Sequence, residues 1–237
     1  MAWTLLPEQV RLKLEAPRPH PFVLRSDKTA LVIVDMQKYL YEEPEGRPYA
    51  AIEGNVRLLK MAREAGVKVI FVKSVRQPDS YEFTVFGREP YMLEGSPETE
   101  IIDELAPLPD EPVITKYTHD PFARTGLSQL LLDMGIFPTD TTVIVTGVSA
   151  LVSAYSASVG FKCRHYLTLI PMDCQAADTV EEEARAYLKY NGTNTYGFTL
   201  STMIEFSPCG MTTRELVDVL ASFEGTRATR GVASVAT

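Results

Sequence analysis

Short continuous apolar runs alternate along this chain with stretches whose apolar residues recur every three or four positions. These two patterns specify buried strands and amphipathic helices. The runs at 29–35 (TALVIVD), 68–74 (KVIFVKS), 112–116 (PVITK), 141–146 (TTVIVT) and 164–173 (RHYLTLIPMD) predict strands rich in β-branched residues. Strands buried on both faces read this way in a parallel sheet. Between them, helical spacing predicts helices over 51–65, closed by Gly66, and over 124–134, 150–160 and 179–190. A sixth strand region falls at 195–206 (TYGFTLSTMIEF). The alternation predicts an α/β fold of three layers, α/β/α, with a six-stranded, parallel, Rossmann-like open sheet.

The long stretch 75–110 breaks this rhythm. It is punctuated by Pro78, Gly87, Pro90, Gly95 and Pro97, and irregular segments of that length often carry function. At the ends, the proline-rich APRPHPF (16–22) predicts an extended arm within residues 1–24, and TTRELVDVLASF (212–223) predicts a further amphipathic helix before a disordered tail. No repeat or linker divides the 237 residues, so a single domain with a core of about 25–205 is expected.

Composition narrows the function classes. There are 23 Lys and Arg residues against 31 Asp and Glu, a net charge of -8; this argues against nucleic acid as a partner. No apolar run approaches the ~20 residues of a membrane helix, and the N-terminus lacks a secretory pattern. Three cysteines (Cys163, Cys174, Cys209) stand far apart without a CxxC pair, as in a reducing compartment. A cytoplasmic protein without membrane contact is expected.

The chemistry gathers where predicted strands end. Asp35 closes the first strand, Lys116 closes that of 112–116, and Ser153 follows the Gly147 turn at the start of a helix. Unpaired N–H groups and the helix dipole favour negative charge there, and open α/β sheets bind ligands at the carboxyl ends of their strands. An acid, an amine and a hydroxyl in those places converge on the crevice there, and a nucleophile at the helix start sits where an oxyanion can be stabilised. Taken singly, Asp35 reads as a cap or surface acid, Lys116 as a solvated lysine and Ser153 as a small helix residue; their joint order favours a site.

Three motifs carry a resemblance over about residues 25–205. They are Asp35-Met36-Gln37 at a strand end, Lys116 followed by Phe122 and a helix, and the turn Gly147-Val148-Ser149-Ala150-Leu151-Val152-Ser153-Ala154. In these the chain resembles the isochorismatase-like cysteine hydrolases, which include nicotinamidases, N-carbamoylsarcosine amidases, and biuret and ureidoacrylate hydrolases. The resemblance implies a hydrolase that cleaves a C–N bond of a small amide, ureido or carbamoyl compound. It casts Asp35 as the base, Lys116 as its electrostatic partner, and Ser153 in the place of the nucleophile. It also implies a cis peptide before Ser149, with an oxyanion hole made by the N–H groups of Ser149 and Ser153, and a homodimer or homotetramer.

The chain departs from the family at the key atom: the nucleophilic cysteine falls on Ser153 and the usual threonine on Ala150. A serine hydroxyl needs far more activation than a thiol, so an Asp–Lys pair tuned for a thiol is expected to leave Ser153 nearly inert, with the amide substrate bound but turned over very slowly. Three accounts of the serine stand open. It is an engineered Cys→Ser change that traps substrate; or a natural serine, as in the isochorismatases that cleave a vinyl ether through Asp35 without a covalent nucleophile; or the mark of a non-catalytic relative. The zinc ligands of nicotinamidases are missing from Arg76-Gln77-Pro78-Asp79-Ser80-Tyr81, and His20, His119 and His165 are dispersed, so neither metal nor cofactor is expected. Candidate substrate contacts are Gln37, Arg76, Gln77, Tyr81, His119, Phe122 and Arg124. Arg76 and Arg124 are each suited to a carboxylate or ureido oxygen.

Overall fold

A computed structural model describes residues 22–41, 47–192, 198–199 and 204–207. The expected arm before residue 22 and the C-terminal helix at 212–223 lie outside these residues. Strands β1 (Phe22–Arg25), β2 (Thr29–Val34), β3 (Lys68–Ser74), β4 (Val113–Lys116), β5 (Thr142–Val148), β6 (Leu167–Pro171), β7 (Gln175–Ala176), β8 (Phe198–Thr199) and β9 (Ile204–Ser207) interleave with five helices. These are α1 (Ile52–Glu64), the single-turn α2 (Tyr81–Thr84), α3 (Leu127–Asp133), α4 (Ser153–Cys163) and α5 (Val180–Gly192).

The main sheet runs β4-β3-β2-β5-β6-β8, with β7 pairing β5 off this path. Every pairing in it is parallel. The six strands of the path match the expected count, and β7 is an addition. The expected strand region at 195–206 splits: Phe198–Thr199 joins β6, whereas Ile204–Ser207 pairs with β1 in a separate two-stranded sheet.

Alternation along the central strands builds two cores. Leu31, Ile33, Val69, Phe71 and Ile144 pack toward Leu58, Leu59 and Ala62 of α1. Their neighbours Ala30, Val32, Val34, Ile70, Val72, Val143 and Val145 pack on the other face, against Leu127 and Leu131 of α3 and Ala157 and Phe161 of α4. Successive residues point to opposite faces and both faces are covered, so these strands carry no polar side of their own. A smaller cluster joins Ala184, Ala186 and Tyr190 of α5 to Ala150, Ile170 and Met172.

Strand order reverses between β2 and β5: the chain builds outward through β3 and β4, then returns to pair β5 with β2. A crevice opens outside the carboxyl ends at such a point. Gly147 lets β5 fit there. Its φ is +105°, and a Cβ would lie 1.9 Å from the Val34 carbonyl oxygen, a contact no side chain tolerates. Helix α4 begins at Ser153, three residues later than expected, because Ala150–Val152 form a turn. That turn leaves Ser153 as the first helical residue.

Candidate active site

Asp35, Lys116 and Ser153 meet in the crevice. Asp35 follows β2 and leaves the extended region with φ +52°, a conformation that costs an L-residue roughly 1–2 kcal/mol. Lys116 ends β4 and is wholly buried. Its Nζ donates three hydrogen bonds: to Asp35 Oδ2 at 2.8 Å, to Ser74 Oγ at 2.5 Å and to Ser153 Oγ at 3.2 Å. Ser74 Oγ in turn donates to Asp35 Oδ2 at 2.9 Å. The other carboxylate oxygen, Asp35 Oδ1, is buried and has no partner among the described residues.

A buried ion pair loses much of its Coulombic gain to desolvation, so its presence is weak evidence for a stabilising role. What it does here is hold the Asp35 carboxylate in the lining of a cavity of about 580 Å³, with the Lys116 ammonium buried behind it. Asp35, Ser74, Arg76, His119, Ser149 and Ser153 all line that cavity. The Val148–Ser149 peptide is cis. Among the described residues no turn, loop or cap hydrogen bond is donated by the N–H of Ser149 or of Ser153 to a backbone carbonyl. His119 Nδ1 lies 3.5 Å from Ser153 Oγ.

Ser74 is the residue the sequence reasoning missed. It ends β3 in register with Lys116, so the strand-end signal that marks Asp35 and Lys116 marks it as well. Also unforeseen is the wall supplied by the irregular segment: Arg88, Glu89, Pro90, Tyr91 and Met92 line the cavity. Tyr91 stacks on Tyr39 with ring centroids 5.3 Å apart, and the Arg76 guanidinium lies 5.8 Å from the Tyr91 ring centre. A parallel bridge between Arg76 and Leu93 brings this segment over the sheet edge.

Of the expected substrate contacts, Arg76 and His119 line the cavity and five do not. Gln37 is fully buried. Its amide donates to the carbonyls of Ser74 (2.8 Å) and Thr99 (2.9 Å) and accepts from the Ser74 N–H (2.8 Å). It is a clip that fixes Ser74, with no atom left for substrate. Phe122 packs edge-on against Phe161, 4.9 Å away, under the Arg164 guanidinium, so it belongs to the core. Gln77, Tyr81 and Arg124 are exposed to solvent and are not among the residues that line the cavity. Gln37→Ala should strand three buried polar groups and lower the unfolding free energy by about 2–4 kcal/mol in urea. An unchanged midpoint would show that the clip carries no such load.

Among the described residues no group of three or more His, Cys, Asp or Glu side chains is placed to hold a metal ion, and no helix is long and apolar enough to cross a membrane.

A parallel sheet between two layers of helices, with an acid, an amine and a helix-start hydroxyl gathered at its carboxyl edge, places the chain in the class of three-layer α/β proteins. Within that class the chain belongs to the isochorismatase-like hydrolase family, whose isochorismatase domain matches residues 29–202. It is 27% identical over 184 residues to the ureidoacrylate amidohydrolase RutB of Methylorubrum extorquens strain DM4, covering 66% of this chain and 73% of that protein. It is 29% identical over 136 residues to an isochorismatase of Bacillus subtilis, spanning 55% of this chain and only 44% of that protein. Among solved structures it is similar to N-carbamoylsarcosine amidase from Thermoplasma acidophilum, with a TM-score of 0.61 and 25% identity over 76% of this chain and 96% of that one. It shares its fold with a cysteine hydrolase from Pseudomonas syringae pv. phaseolicola, with a TM-score of 0.64 and 22% identity over 86% of this chain and 98% of that one.

Proposed function

We propose that this chain hydrolyses a C–N bond of a small polar amide, ureido or carbamoyl compound, with Ser153 in the place of the family's nucleophile. The observation that carries the reading is the buried, unpartnered Oδ1 of Asp35. A buried acceptor without a donor costs about 1–3 kcal/mol or more when charged, and an amide or ureido N–H supplies that donor. With the substrate N–H on Asp35, its carbonyl carbon comes toward Ser153 Oγ and its oxygen toward the N–H groups of Ser149 and Ser153. Backbone donors of that kind stabilise a developing oxyanion. Arg76, ion-paired with Glu82 at 3.1 Å, and Arg88 line the cavity together with the acids Glu89 and Asp178, a mixed polar lining suited to a small polar compound. The similarity to proteins named for ureidoacrylate and N-carbamoylsarcosine supports the same substrate class.

Ser153 and the similarity to the Bacillus subtilis isochorismatase favour a second reading, vinyl ether cleavage. That route asks Asp35 to give a proton to carbon, whereas its Oδ2 accepts two hydrogen bonds and its Oδ1 is an empty acceptor. The test is release of ammonia or amine from a panel that includes ureidoacrylate and N-carbamoyl amino acids, beside pyruvate release from isochorismate. It is run on the chain as it stands and on Ser153→Cys. Turnover of a panel compound by either form is expected. Pyruvate release with no panel compound cleaved by either form would overturn the proposal.

A further inference from the structure

We infer that Ser153 is a working nucleophile and that His119 is its general base. This rests on the amide-hydrolase reading for its substrate and on hydrogen-bond direction for its chemistry. The Lys116 ammonium has three protons, and the three acceptors around it are Asp35 Oδ2, Ser74 Oγ and Ser153 Oγ. Ser74 accepts from Lys116, so its own proton goes to Asp35 Oδ2. Ser153 likewise accepts from Lys116, so its hydroxyl proton must point elsewhere. No hydrogen bond joins Ser153 to Asp35; the acceptor within reach is His119 Nδ1, at 3.5 Å. Lys116 thus draws electron density from the Ser153 oxygen on one side while His119 receives the proton on the other. Nucleophile activation by an adjacent base takes this form, and separations in an unliganded site are often longer than in the complex.

The surroundings keep the imidazole able to accept. Partial desolvation at the cavity rim, then the cationic Lys116 at the end of β4 and Arg76 beyond β3, hold His119 below the ordinary imidazole range; the anionic Asp35 beyond β2 and Glu82 on α2 oppose them without prevailing. The neutral ring is favoured, and in its Nε2–H tautomer Nδ1 offers the lone pair that the Ser153 hydroxyl needs.

The steps balance. As Ser153 Oγ adds to the substrate carbonyl carbon, its proton passes to His119 Nδ1. The C–N bond then breaks, and the departing nitrogen takes that proton from His119, leaving an ester on Ser153. Water adds to the ester carbonyl and gives a proton to His119; Ser153 Oγ leaves and takes that proton back. Asp35 does not abstract the serine proton in this scheme. It orients Lys116 and receives the substrate N–H.

A fluorophosphonate probe tests the pair directly, because it labels activated serines and contains no N–H group. Treated as the intact chain, the protein should be labelled on Ser153, identified by mass spectrometry of the peptide. The labelling rate should fall toward acid with an apparent pKa below the ~6.5 of a free imidazole. His119→Gln should cut the rate by about 100-fold, within the usual range for a lost general base. It should leave the melting temperature unchanged, since His119 is exposed at the cavity rim. Absence of label on Ser153, or equal labelling of parent and His119→Gln, overturns the inference. Two results separate it from the amide-hydrolase reading. If only Ser153→Cys cleaves the panel and the parent resists the probe, the reading stands and the inference falls. If the parent labels through His119 but neither form attacks any amide, the inference stands and the reading falls.

Discussion

Lys116→Met should abolish hydrolysis and destabilise the fold together. Methionine nearly matches the length of lysine and removes all three donated hydrogen bonds behind the cavity lining. Losing one member of a buried ion pair costs roughly 3–5 kcal/mol, because the remaining charge stays buried without compensation. Asp35 would be that charge, with Ser74 alone still bonded to it. Activity should fall by at least about 1,000-fold, equivalent to about 4 kcal/mol of barrier at ~1.36 kcal/mol per decade. Urea denaturation gives the first effect. Ammonia release under conditions where the variant remains folded gives the second. Retention of more than a tenth of parental turnover by folded Lys116→Met would show that the ammonium takes no part in the chemistry.

Much of this arrangement is legible in the sequence because the chemistry sits where secondary structure changes. Asp35 and Lys116 terminate apolar strand runs and Ser153 opens a helix, so a periodicity reading places all three at one sheet edge. Ser74 carries the same signal, but a serine after KVIFVK does not stand out until Lys116 is seen to need an acceptor. Gln37 misleads for the opposite reason. Two residues from Asp35 it looks like a pocket residue, yet it forms an antiparallel bridge with Ile101 that turns it inward. That bridge is a contact between distant segments, which no local pattern encodes.

The segment 88–92 is the hardest case. It has neither helical nor strand periodicity, and what sets it over the cavity is the pairing of Arg76 with Leu93 and the stacking of Tyr39 on Tyr91. The prolines and glycines of 75–110 mark that stretch as long and irregular but encode no position in the fold. His119 is similar: its place three residues past Lys116 suggests a pocket residue, but its role depends on which way the Ser153 proton points. Only the count of acceptors around the Lys116 ammonium decides that. The residue types were all visible; the directions of their hydrogen bonds were not.

Asp35→Asn should separate substrate holding from serine activation. Asparagine keeps the side-chain size but has one carbonyl oxygen and one NH2 group. If the oxygen faces Lys116, the NH2 group takes the place of Oδ1 and presents a donor to the substrate N–H. If the NH2 group faces Lys116 and Ser74, two donors confront it there. In either orientation the substrate N–H or the Lys116 ammonium meets a donor where the parent offers an acceptor, and a buried mismatch of that kind is costly. Turnover of the best panel compound, as kcat/KM, should therefore fall by about 1,000-fold, or about 4 kcal/mol. Fluorophosphonate labelling of Ser153 should fall by no more than about tenfold, because the probe lacks an N–H and His119 still receives the serine proton. Loss of turnover and labelling by the same large factor would make Asp35, not His119, the base that activates Ser153.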